Sequence, residues 1–310
     1  MSRKAGFSHD GAFKDLVLSF PKQSLRALVP DLESWYGALE EVIQLRQEMP
    51  REGLYDRRRI VDLAMRLTFR SGARIVCLLE HQSRKSTFSI HRLCHYAVDL
   101  DKLMEGIPVL PVVVFTERPR WRREVRSRLG HVAADQTWLH FSYLKVRLRD
   151  KPVDAIWTSN NPVWYILAPL LDYPEEERLH VAAMAYIHLL RVTDRGTLIK
   201  FMDFIDIYAK LNQDEKRAID RQLDQEEDGM MVREILMEKG IEIGEQRGEQ
   251  RGIEIGELRG KDVGRDEKAM KVIERMYRKG YETEEIASIV EMSVAAVEAK
   301  LTRLQSRNPF

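Results

Sequence analysis

Cysteine is nearly missing from this chain: 310 residues contain two, Cys77 and Cys94. Neither falls in a metal-ligand spacing or a pairing pattern, which excludes a disulfide framework or a cysteine-based metal site as the basis of the fold. Both stand among apolar neighbours and read as buried thiols in a reducing compartment. Long hydrophobic runs are missing too. No stretch reaches the ~18 consecutive apolar residues of a membrane span, and the first residues lack the apolar run of a leader. The expectation is a cytoplasmic protein with no membrane segment. Net charge is almost absent, with 50 Lys/Arg against 49 Asp/Glu.

That balance hides an uneven distribution. Residues 51–128 carry 17 Lys/Arg and 9 Asp/Glu, a net +8, whereas residues 151–310 carry 24 and 31, a net −7. A basic region in an otherwise balanced chain fits a face turned to a polyanion, and equally a solvated face with clustered charge. Charged residues make up 32% of the chain and hydrophobic ones 44%. This is enough apolar mass for a sizeable core, with long solvated helices in addition.

The periodicity predicts an α/β fold with a mixed sheet flanked by helices, followed by a largely helical C-terminal region. Residues 8–29 read as one helix capped by Ser8, with Phe13, Leu16, Val17 and Phe20 near helical spacing. Residues 30–50 read as helix with a loop. Ile60–Phe69 and Arg74–Glu80 form a hairpin around Ser71-Gly72, and the second strand is apolar throughout, hence central. An amphipathic helix over residues 87–104 and a buried strand over Pro108–Thr116 make a strand–helix–strand step, which mixes the sheet. Phe141–Leu148 alternates as a further strand, and Pro162 to about Leu223 is helical. Four segments follow: a core at 1–150, a helical extension at 151–228, a glycine-periodic segment at 229–265 and a three-helix module at 266–310.

The glycine-periodic segment places Gly240, Gly244, Gly248, Gly252, Gly256, Gly260 and Gly264 four residues apart. Each glycine costs a helix interior ~1 kcal/mol relative to alanine. Two readings stand: a charged linker, or a helix whose small-residue stripe admits a second helix, which would make a homo-oligomer through residues 229–310. In the terminal module Gly280 stops one helix, and Thr283 and Ser293 are N-cap residues of the next two.

Chemistry concentrates at the hairpin. Asp62 near the start of its first strand and Glu80 at the end of its second are neighbours across an antiparallel ladder. Facing carboxylates repel unless a hard cation neutralises them, and Mg²⁺ takes one or two carboxylates with water and phosphate oxygens. Gln82 shares a face with Glu80, so its amide is placed to orient a water or donate to a phosphate; His81 alternates away and reads as a buried, satisfied histidine. Spacing alone also fits two solvated strand-end acids. Arg92 and Tyr96, four apart, read as a packing and hydrogen-bonding pair. Arg118, Arg120, Arg122, Arg123, Arg126 and Arg128 surround Trp121, and Arg57, Arg58 and Arg59 precede Asp62. Both groups suit phosphate oxygens, and the first reads equally as an ordinary solvated helix.

Several ordered motifs resemble the Rpn family of recombination-promoting nucleases, transposase-like proteins of the PD-(D/E)XK superfamily. They are VDLAMRL (Val61–Leu67) with CLLEHQS (Cys77–Ser83), the opening HDGAFK (His9–Lys14), FSIHRLCHY (Phe88–Tyr96), PVLPVVVF (Pro108–Phe115) and, near the C-terminus, AMKVIERMYRKGYETEEIASIV. The likeness covers about residues 8–120 and 230–300. It implies a PD-(D/E)XK-like nuclease core that cuts DNA with Mg²⁺ or another divalent cation, in recombination or mobile-element biology. It implies Asp62, Glu80 and Gln82 as catalytic residues, with Asp62 and Glu80 on the metal and Asp10 as a third acidic ligand. His9 and Lys14 would line the site, while the clustered charge by itself, apart from the resemblance, puts Arg58, Arg118, Arg122 and Arg123 on the substrate. Val61 departs from the small or polar residue usual before the aspartate. The alternative is a catalytically silent DNA-binding or interaction protein that keeps the fold.

Overall fold

The computed structural model describes residues 9–45, 63–223 and 228–307. Ser8, Arg57, Arg58, Arg59 and Asp62 lie outside the described residues. The chain divides into two compact units, Met1–Leu236 and Met237–Phe310.

The first unit is built on a five-stranded sheet. Its strands are β1 (Leu39–Gln44), β2 (Leu63–Phe69), β3 (Arg74–Gln82), β4 (Val109–Phe115) and β7 (Leu144–Arg147), in that spatial order. The β1–β2 and β2–β3 pairs are antiparallel, whereas β3–β4 and β4–β7 are parallel. The expected mixed sheet and hairpin are therefore present. β3 and β4 are central and covered on both sides, which is why both read as near-continuous apolar runs.

Alternation along β3 sorts the core into two layers. Ile75, Cys77 and Leu79 join Phe13, Leu16 and Val17 of α1 (His9–Ser19) in the larger core. Val76 and Leu78 join Ile90, Leu93 and Leu100 of α4 (Ile90–Met104) on the opposite face. Ser89 caps α4 by accepting from the Arg92 N–H. Burial pushes the Cys77 thiol up to about 12 and raises Cys94 as well. A thiol held protonated inside the core is a poor nucleophile. Native protein at neutral pH should therefore show no reaction of Cys77 with a thiol reagent, and denatured protein should show both cysteines reacting; rapid labelling of native Cys77, read by peptide mass, would contradict this burial.

The structure departs from the expected elements in several places. The helix expected over 8–29 is two helices, α1 and α2 (Pro21–Leu28), because Pro21 cannot continue the first and instead starts the second. Residues 30–50 contain a short helix, α3 (Leu32–Tyr36), and the edge strand β1, whose two adjacent glutamates break the alternation. The strand expected at Phe141–Leu148 belongs to two elements. β6 (Gln136–Ser142) pairs with β5 (Arg128–Ala133) in a separate two-stranded sheet, and only β7 joins the main one. Finally, residue 150 is no boundary. The helices α5 (Pro162–Leu167), α6 (Arg178–Val192), α7 (Arg195–Tyr208) and α8 (Gln213–Leu223) share the larger core with the sheet. Buried Asp206 in this helical layer is satisfied by the Tyr186 hydroxyl and the Lys216 ammonium.

α9 spans Gly229–Arg278, so the expected division at 265/266 falls inside a helix. In the second unit its end packs Ile273 against Ile286 and Ala287 of α10 (Thr283–Ile289) and Val297 and Leu301 of α11 (Val294–Arg307). Gly280, at φ +82°, ends α9 as expected, and the Tyr281 N–H returns to the Met276 carbonyl. Ser293 caps α11 through the Ala296 N–H at 3.3 Å. Thr283 is not a cap: Glu282 holds the N-cap position, and Thr283 is already helical. Among the described residues no helix is long and apolar enough to cross a membrane.

Candidate active site

Glu80 and Gln82 end β3 on the face covered by α4, and His81 between them turns to the face covered by α1. The period of the strand thus divides three adjacent polar residues between two environments. All three are buried, at 3–5% exposure, a depth that requires partners for each polar atom.

His81 has its partners. Its Nδ1 lies 2.7 Å from Asp10 Oδ1 on α1, its Nε2 lies 2.9 Å from Thr116 Oγ1, and its ring stacks on Phe13 with centroids 4.6 Å apart. A carboxylate only accepts, so in the neutral ring Nδ1 carries the proton and Nε2 accepts from the threonine hydroxyl. This is the satisfied histidine expected from the alternation, and it staples α1 to the end of β3.

Glu80 is satisfied on one side only. Its Oε1 accepts from Arg92 Nη2 at 2.8 Å and from Gln82 Nε2 at 3.0 Å. Gln82 Oε1 in turn accepts from the Thr87 hydroxyl at 3.0 Å. Glu80 Oε2 is buried and has no hydrogen-bond partner among the described residues. A buried carboxylate oxygen without a donor is costly. Glu80, Gln82, Thr87, Arg92 and Tyr96 border a cleft of about 410 Å³, and Asp10 and His81 reach it from the other side of the strand end.

Of the expected site residues, Glu80, Gln82 and Asp10 meet at this cleft. Asp10 nevertheless commits Oδ1 to His81, and among the described residues no three His, Cys, Asp or Glu side chains converge to hold a metal ion. Asp10, expected as a third acidic ligand, thus also makes a positioning contact with His81 through Oδ1. Leu63, the residue after Asp62, pairs with Leu79, the residue before Glu80. His9 packs its ring on Tyr208, with centroids 5.2 Å apart. Lys14 is half-buried on α1 and is not among the residues bordering the cleft.

Arg92 is the cleft residue whose contact spacing missed. Expected to pair with Tyr96, it bonds Glu80 from the first turn of α4. A legible signal existed: seven residues separate Gln82 from the start of α4, so an arginine in that turn falls beside the end of β3.

The arginine-rich tract is not helical. Between β4 and β5 the chain is irregular, held by Trp121, which meets Phe115 edge-on at 4.9 Å. Arg147 lies 4.6 Å and Lys85 5.2 Å from the same ring. Arg118, expected on the substrate, lies over Tyr173 at 4.3 Å and pairs with Glu175 at 3.4 Å. Arg122 and Arg123 are exposed. Comparison of the chain with family models, with curated proteins and with solved structures gives no match in any of the three.

Proposed function

We propose that this chain is a metal-dependent DNA endonuclease that hydrolyses phosphodiester bonds, of the PD-(D/E)XK type and linked to recombination or mobile elements. The observation that carries the reading is the Glu80 carboxylate, which borders a polar cleft: it is buried and held through Oε1, and Oε2 has no donor among the described residues. An oxygen prepared in this way suits a hard cation. Asp62 and Glu80 are the residues that would hold Mg²⁺ or another divalent ion. When bound, such an ion polarises a phosphate and acidifies a water.

The chain's own groups have separate tasks in this scheme. Arg92 and Gln82 keep Glu80 aimed. Gln82 Nε2 carries a second N–H, which can hold an attacking water or a phosphate oxygen. Asp10, through His81, keeps α1 against the strand end. Exposed Arg122 and Arg123 supply phosphate contacts, and Arg58 adds another in the same scheme. Nicking of supercoiled plasmid with and without Mg²⁺, wild type beside Glu80→Ala, tests the proposal: metal-dependent nicking lost in the variant supports it.

One observation favours a second reading. Arg92 already neutralises Glu80 without a metal, as a fold that only binds DNA would need. DNA binding with no nicking by either protein selects that reading.

The glycine stripe of α9 has its own test of self-association. A methyl group added at Gly248 or Gly252 meets nothing within 4 Å. In a solitary helix each Gly→Ala change should therefore stabilise by about 1 kcal/mol, seen as raised helicity on heating. If a second copy packs along the stripe, the same changes should lower stability and shift sedimentation toward monomer.

A further inference from the structure

The β5–β6 ribbon has no place in the site just described, and its surface is unusual. The tract after β4 runs directly into β5, and the ribbon turns on two residues, Ala134 and Asp135, both with positive φ (52° and 56°). This is the tight type I′ geometry, whose twist matches a hairpin but strains an alanine. The ladder then shifts: His131 pairs with Leu139, yet Val132 pairs with Thr137, so Trp138 is an additional residue at a bulge. Bulges re-aim side chains. Here the result is a tryptophan 67% exposed beside Val132 at 71%. All of β6 except Phe141 faces solvent.

An exposed aromatic on a two-stranded ribbon fits several partners, and the charge of the segment that carries the ribbon chooses among them. Residues 118–147 hold eight Lys/Arg and two Asp/Glu. Arg118, Lys145 and Arg147 are engaged in ion pairs, but Arg120, Arg122, Arg123, Arg126 and Arg128 are exposed. Exposed cations on the segment that leads into the ribbon, together with an exposed indole on the ribbon itself, match a polyanion that also offers flat apolar faces, which is a nucleic acid with an unstacked base. Two-stranded ribbons fit the major groove, apolar side chains wedge into distorted base steps, and bases stack on aromatic rings with little regard to sequence.

We infer that the β5–β6 ribbon is a DNA-engaging element in which Trp138 stacks on a base exposed at an unpaired position, while Arg122 and Arg123 hold the adjoining phosphates. The inference deepens the nuclease reading by naming the DNA structure the protein selects, and it rests on that reading for the partner. The ribbon supplies the preference for distorted DNA, and the Glu80 cleft supplies the chemistry.

The test measures binding by the full chain in EDTA, where no cleavage intervenes, to two labelled duplexes that differ only in one central unpaired base. Wild type should bind the distorted duplex about tenfold more tightly than the paired one. Trp138→Ala should abolish that difference, Trp138→Phe should keep most of it, and Arg122→Ala with Arg123→Ala should weaken both duplexes together. Trp138→Ala binding both duplexes as wild type does would overturn the inference, and so would wild type showing no preference or no DNA binding. Plasmid nicking is scored separately. Nicking with an indifferent Trp138→Ala variant retains the nuclease and discards the ribbon; a Trp138-dependent preference without nicking retains the ribbon and discards the nuclease.

Discussion

Glu80→Gln should abolish metal-dependent nicking, by at least about a thousandfold, while the protein stays as stable as wild type or gains stability. The amide keeps an oxygen where Oε1 accepts from Arg92 Nη2 and Gln82 Nε2, so the local network survives. It removes the negative charge from a side chain only 4% exposed. It also replaces Oε2, the oxygen with no donor among the described residues, by a group that no longer attracts a cation. A lost Lewis acid removes several kcal/mol of transition-state stabilisation, and each 1.4 kcal/mol is tenfold in rate. The two readouts are a plasmid time course and a thermal melt. Full activity in Glu80→Gln would remove Glu80 from the chemistry. A large loss of stability would make its role structural.

Arg92→Ala should unfold about 4–8 °C below wild type, and millimolar Mn²⁺ should recover part of that loss. Charge balance sets both effects. Arg92 is the partner found on Glu80, and removing one member of a fully buried pair costs about 3–5 kcal/mol. The Arg92 side chain is 42% exposed, so water replaces part of it and the cost falls to about 2 kcal/mol. For a unit of this size that corresponds to about 2–4 °C per kcal/mol. A divalent ion at Glu80 then restores positive charge to the same carboxylate, and binding to the folded state alone raises stability by linkage. Wild type, with Arg92 in place, should gain less from the same metal. A variant as stable as wild type, or one that metal protects no better than wild type, would overturn the assignment of Arg92 as the charge that balances Glu80.

The two variants also separate the competing readings. A nuclease loses cleavage in Glu80→Gln and shows metal-dependent recovery in Arg92→Ala. A protein that keeps the fold only to bind DNA shows neither, because its Glu80–Arg92 pair is self-sufficient.

Much of this arrangement is legible in the order of the residues alone. The apolar run Ile75–Leu79 marks a central strand, and alternation past it sends Glu80 and Gln82 one way and His81 the other, as the structure has it. Ser293 and Gly280 mark helix ends by the same local logic. A strand's two faces and a helix's termini are set by backbone geometry within a few residues, so composition at those positions carries the information. The edge strand β1 and the β5–β6 ribbon escape because one mixes polar residues and the other turns on Ala134-Asp135, which is no standard hairpin signal.

What tertiary structure alone decides is who meets whom. Asp10 reaches His81 across 71 positions, and Arg118 leaves the arginine tract for Tyr173 and Glu175. Arg92 reaches from α4 to Glu80 on β3. Each choice is made by a buried or half-buried polar group whose alternative is to go unpaired, and which partner comes within hydrogen-bond reach depends on how whole elements pack. The chain by itself therefore determines that a carboxylate, an amide and a histidine end one strand on alternate faces. Packing determines that the histidine is spent on holding α1 in place, and that the carboxylate is left with one buried oxygen that has no donor among the described residues.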